Sequence, residues 1–133
     1  MKQEIKYGVD KFRKAVTALK QGVFQAKDEL DKDGVIQRFK FTFELLWKTL
    51  KIFLQDKGIL EKTPKECLKS AFRIGLLEVE DEAVFLDMLE DRNKTSHLYD
   101  QAESEAIFQK VKENYLPLME ALLNRLGQEE KKE

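Results

Sequence analysis

The chain has 133 residues, 24 of them basic and 25 acidic, for a net charge of −1. That length fits one domain, and the balanced charge argues against avid, indiscriminate nucleic-acid binding, which needs an excess of Lys and Arg. A single cysteine, Cys67, rules out an intrachain disulfide. No apolar run approaches membrane-spanning length, so the chain reads as soluble and cytoplasmic.

Charged residues make up 37% of the chain, while only six Gly and two Pro interrupt it, which is the composition of a helical bundle with solvated outer faces. A first helix is expected from about Lys2 to Ala26. Its apolar residues Ile5, Val9, Phe12, Val16, Leu19 and Val23 form a single seam. "DELDKDG" is then expected to break the pattern with acids and a glycine.

The second helix is expected from about Val35 to Asp56, ended by Gly58. Ile36, Phe39, Phe43, Leu46, Leu50 and Phe53 form one seam, widened by Trp47, and Phe41, Leu45 and Ile52 form another. A helix apolar on two sides is either central or shared with a partner chain. Lys40, Glu44, Lys48 and Lys51 make a polar stripe, so surface ion pairs account for Glu44 in spite of its aromatic neighbours.

"TPKE" opens a third helix, with Thr63 as N-cap, Pro64 in the first turn and Glu66 completing a capping box. Cys67, Leu68, Ala71 and Phe72 face inward, and Gly75 is its C-cap. A fourth helix is expected from near Asp81 to about Arg92. A fifth spans about Glu103 to Leu126, with Phe108, Val111, Tyr115, Leu118 and Leu122 inside and a bend at Pro117. Residues 127–133 read as a frayed, charged tail. No segment alternates like a strand. The expected architecture is all-α, an antiparallel bundle of four to five helices formed by residues 1–126.

The fourth helix carries the residues of chemical interest. Phe85, Met88, Leu89 and Arg92 fall at i, i+3, i+4 and i+7, so Arg92 continues an apolar stripe. A guanidinium aimed at a core or interface must be paired or at work. Asp87, Asp91 or a partner chain could supply an ion pair. His97, the only histidine, comes five residues later. At about 100° per residue, five residues turn roughly 140°, so the two cannot share one face of a regular helix. Either the chain breaks near Asn93 to Ser96, or each residue meets the other's copy across a dimer axis.

The pair has a chemical logic. Metal-independent RNA cleavage needs a base for the 2′-hydroxyl, an acid for the leaving oxygen and a cation for the phosphate. Histidine and arginine supply these. For His97 the structural alternative is a loop residue that hydrogen-bonds locally. A transition-metal site is disfavoured by one His and one Cys, and Cys67 fits a buried apolar role.

"RNKTSHLY" matches the R-x4-H-x-Y form of the HEPN signature. It resembles the HepT toxins and the related nucleotidyltransferase substrate-binding proteins. "QRFKFTFELLWKTLKIFLQDKG", "TPKECLKSAFRIGLL", "FLDMLEDRNKTSHLYD" and "YLPLMEALL" resemble the same family in the same order. The resemblance implies a helical bundle that forms a homodimer and pairs with a separate minimal nucleotidyltransferase, with RNA as substrate. It assigns the ribonuclease roles to Arg92 and His97, the polar second position to Asn93, and modification by adenylate to Tyr99. It implies no cofactor. Two further readings stand beside the toxin. One is a non-catalytic subunit that presents a substrate to the transferase. The other is a dimeric scaffold, which gives no reason for Arg92 on an apolar stripe.

Overall fold

The structure is a computed structural model and describes residues 1–98 and 100–132. Helices α1 (Gln3–Gln25) and α2 (Glu29–Asp56) are joined by only three residues and pack along each other as an antiparallel hairpin. Helix α3 (Pro64–Arg73) comes next, then a 3-10 turn (Val79–Asp81) and α4 (Glu82–Lys94). A second 3-10 turn (Thr95–His97) leads to α5 (Gln101–Lys110), which runs through a π-helical segment (Val111–Tyr115) into α6 (Leu116–Lys131). Counted as rods, these are five helices, and no strand occurs among the described residues.

Helix α2 is the centre of the bundle and touches α1, α3, α4 and α5. Its first seam, Ile36 to Phe53, is buried throughout, as is the α1 seam Ile5 to Val23. On the second seam Phe41 is 58% exposed, and Leu45 and Ile52 are half-buried. One apolar side of α2 therefore closes the core while part of the other faces outward. Thr49 ties α2 to α1 by donating to the carbonyl of Gly8 (3.2 Å), while Thr42 donates to Arg38 on its own helix (2.7 Å). Gly8 permits that approach, since a Cβ there would sit 3.3 Å from the Thr49 hydroxyl.

The expected break at "DELDKDG" is instead the start of α2. Asp28 is the N-cap, its Oδ1 accepting from the Asp31 amide at 2.8 Å, and Asp31 in turn accepts from the Lys27 amide at 2.9 Å. Acids in a first turn satisfy free amides and favour the positive end of the helix, so a run that looks like a breaker works as a cap. The other termini form as their residues dictate. Thr63 and Glu66 make both bonds of the capping box. Gly58 and Gly75 take φ of 82° and 80°, and the amides after them close back onto Leu54 and Ala71.

The fifth rod departs from a regular helix. Pro117 has no amide to donate, and the π segment lies just ahead of it. The wider turn shifts the phase of the helix beyond it. Leu116 and Met119 are buried, whereas Leu118, expected inside, is half-buried. The rod also carries on past Leu126, through Gly127 to Lys131.

Candidate functional site

Helix α4 presents two adjacent residues to two different neighbours. Asp91 is 1% exposed and faces the π segment, where it accepts the Tyr115 hydroxyl. Asp87 stands 2.9 Å from the same hydroxyl as a second acceptor, and Lys110 pairs with Asp91 at 3.2 Å and with Asp87 at 3.3 Å. Burial first, and then the Asp91 and Asp87 carboxylates, push the Tyr115 phenol far above its ordinary value. For Lys110, burial opposes the charge, but the hydrogen bonds and attraction of Asp91 and Asp87 together outweigh it and raise the pKa. These acids are thus taken up by Tyr115 and Lys110. They are not the partners of Arg92 that the sequence suggested.

Arg92 turns to α2 instead. Its Nη2 forms an ion pair with Glu44, its Nη1 donates to Asn93 Oδ1 at 2.8 Å, and its guanidinium lies 5.7 Å from the centroid of the buried Phe43 ring. The Arg92 side chain keeps 22% of its surface exposed. Glu44 also accepts from Trp47 Nε1 at 3.2 Å. The expectation that Glu44 pairs with lysines on its own helix is overturned. Its partner is Arg92, from 48 positions further along the chain, which no local spacing rule could reveal.

After Lys94 the α-helix stops. Thr95 Oγ1 donates to the Arg92 carbonyl at 2.6 Å, and the chain tightens into the 3-10 turn that carries His97 and packs against α2. His97 is exposed and lines a cleft of about 380 Å³ with Asp91, Lys94, Leu98, Ile107 and Lys110 among its walls. Arg92 does not line this cleft. The break expected between the two residues is present: Arg92 pairs with Glu44 on α2, and His97, in the turn that also packs against α2, lines the cleft beside α5. Tyr99 lies outside the described residues. Just beyond it, Asp100 caps α5 by accepting from the Glu103 amide at 2.8 Å.

Cys67 is fully buried, and burial raises its thiol pKa. No cluster of three or more His, Cys, Asp or Glu suited to a metal ion occurs among the described residues. Nor is any helix among them long and apolar enough to cross a membrane.

A helical bundle built on a long central helix, with an R-x4-H segment where its fourth helix breaks, is HEPN-like in form. The family model described as "Nucleotidyltransferase substrate binding protein like" matches residues 7–128, and the chain belongs to that family. A Haemophilus influenzae protein named "Probable ribonuclease HepT" is 34% identical over 101 residues, which cover 71% of this chain and 66% of that protein's length. A crystal structure of a Thermus thermophilus protein superposes with a TM-score of 0.81 at 36% identity, covering 86% of this chain and 98% of that one.

Proposed function

We propose that the protein is a metal-independent RNA endonuclease of a toxin–antitoxin pair, partnered and silenced by a separate minimal nucleotidyltransferase. Arg92 and His97 are its catalytic residues. The observation that carries this reading is Arg92 itself. A partly exposed guanidinium, over the Phe43 ring and held at Nη2 by Glu44 and at Nη1 by Asn93, has donors left for a phosphate. The 34% identity to a protein named as a probable ribonuclease supports the same assignment.

The working site is composite, formed in a homodimer from the Arg92 of one protomer and the His97 of the other. The homodimer is supported by the second apolar side of α2, where Phe41 is 58% exposed and Leu45 and Ile52 are only half-buried. In such a site the imidazole takes the 2′-hydroxyl proton or protonates the leaving 5′-oxygen, and the guanidinium carries the charge that gathers on the phosphorus. Because the nucleophile is the substrate's own hydroxyl, no metal-bound hydroxide is required. Asn93 supports Arg92 through its side-chain oxygen. Tyr99, two residues beyond His97, is the position at which the transferase adds adenylate and closes the site.

The second reading, a non-catalytic subunit that presents substrate to the transferase, is favoured by the family's own description. One experiment separates the two. The purified chain is incubated with RNA in the presence of a chelator. The ribonuclease reading expects cleavage with 2′,3′-cyclic phosphate and 5′-hydroxyl ends, lost in both Arg92→Ala and His97→Ala while the helical signal is kept. Intact RNA, or cleavage that survives both substitutions, supports the binding subunit.

A further inference from the structure

Glu44 occupies a position where ordinary helix chemistry offers it two partners. Lys40 and Lys48 stand one turn before and one turn after it on α2, the i, i+4 spacing that favours surface ion pairs. It takes neither. Its carboxylate instead crosses to α4 and pairs with Arg92, while the Trp47 indole N–H, one turn along, holds it from its own helix. Both side chains of the pair are largely covered, 22% exposed for Arg92 and 30% for Glu44. The guanidinium is fixed on three sides: the Glu44 carboxylate on Nη2, the Asn93 amide oxygen on Nη1, and the Phe43 ring beneath it.

We propose that Glu44 is a positioning residue that sets the orientation of Arg92 for catalysis, with Trp47 anchoring the carboxylate. The proposal rests on the ribonuclease reading. Arginine has a long, rotamer-rich side chain, and a catalytic guanidinium must hold a fixed geometry at the developing charge. The carboxylate on Nη2 and the amide oxygen on Nη1 lock the plane and leave the remaining N–H donors for phosphate oxygens. The carboxylate also neutralises part of the charge in the ground state. Glu44 therefore favours orientation at the expense of raw attraction for RNA, and this makes a particular kinetic signature. Removing the carboxylate frees the arginine to hold phosphate in more ways, so KM stays level or falls. The same freedom misaligns it in the transition state, so kcat drops.

The full-length protein tests this as Glu44→Ala and Glu44→Gln, with Arg92→Ala as control. Cleavage of RNA is followed by steady-state kinetics, thermal unfolding by circular dichroism, and the Arg92 side chain by its ¹⁵Nε–Hε signal, assigned through its loss in Arg92→Ala. Glu44→Ala is expected to lower kcat on the order of tenfold to a hundredfold without raising KM, and to broaden or shift the Arg92 signal. Glu44→Gln, which retains an acceptor oxygen for the guanidinium, is expected to restore most of kcat and a sharp signal. Unchanged kcat and an unchanged Arg92 signal in Glu44→Ala overturn the proposal. So does a loss that merely tracks the unfolded fraction in both variants. Failure of the underlying reading looks different: Arg92→Ala then cleaves as well as the parent protein, or the parent cleaves nothing.

Discussion

Asp91 and Arg92 are neighbours in sequence and reach two different helices from α4. Asp91 is buried against Tyr115 and Lys110 of the fifth rod, and Arg92 reaches the central helix at Glu44. The first anchors the helix that carries the motif; the second is the residue to which the proposed function gives the phosphate. Substitution should separate the two roles. Asp91→Ala leaves the Tyr115 hydroxyl and Lys110 with Asp87 as their remaining partner and opens a gap where the buried carboxylate stood, and is expected to cost about 2 kcal/mol of stability. Arg92→Ala is expected to abolish cleavage with little effect on folding. Chemical denaturation of the two variants side by side checks this, and equal stability losses would contradict it.

The Tyr115 phenol gives the fold a particular alkaline limit. Its pKa is raised in the folded state above the ordinary value of 10.0, so its contribution to stability is intact below about pH 10 and is lost as pH rises beyond that. Lys110, whose pKa is also raised, adds to the same trend above its ordinary 10.5. Part of the phenolate absorbance should therefore appear only with unfolding. In Tyr115→Phe that part should vanish, and stability should depend less on pH above 10. A tyrosinate signal that reaches its full height while the near-ultraviolet circular dichroism stays native would contradict the expectation.

The start of α2 offers a test of local structure. Asp28→Ala removes the acceptor of the Asp31 amide and should lower stability by about 1 kcal/mol. Asp33→Ala, further into the helix and exposed, should change it by less than about 0.5 kcal/mol. Equal effects at the two positions would show that the capping bond carries no weight.

Much of this molecule is legible in the sequence because helices repeat. The seams Ile5 to Val23 and Ile36 to Phe53 arise from spacing alone, as do the Thr63–Glu66 box and the turns at Gly58 and Gly75. The errors have physical causes. Acids before a helix resemble a loop until the free amides they cap are seen, which is why periodicity places the start of α2 at Val35 rather than Glu29. An inserted π turn moves the phase of Leu116 to Met119 without any compositional mark beyond Pro117. At the candidate site, Arg92 and His97 are readable as a motif, while Glu44, Asp91 and Tyr115 reach their partners across helices and carry no local pattern.

Adenylation of Tyr99 is the regulatory expectation. Co-expression with the cognate transferase and ATP should add an adenylate-sized mass to this chain, and Tyr99→Phe should prevent it. The added phosphate would bring negative charge and bulk within two residues of His97. An adduct mapped to another residue overturns the assignment. An active transferase that leaves the chain unmodified favours the substrate-presenting subunit.

The composite site is the central claim, and mixing inactive variants tests it most directly. Arg92→Ala and His97→Ala proteins are unfolded together, refolded as a mixture and assayed for RNA cleavage. In a two-fold dimer whose site takes Arg92 from one protomer and His97 from the other, each mixed dimer regains one intact site. The mixture should then recover about a quarter of the parent activity. If both residues act within one chain, every site in the mixture lacks one of them. A mixture as inactive as the separate variants, with mixed dimers shown to be present, would contradict the account.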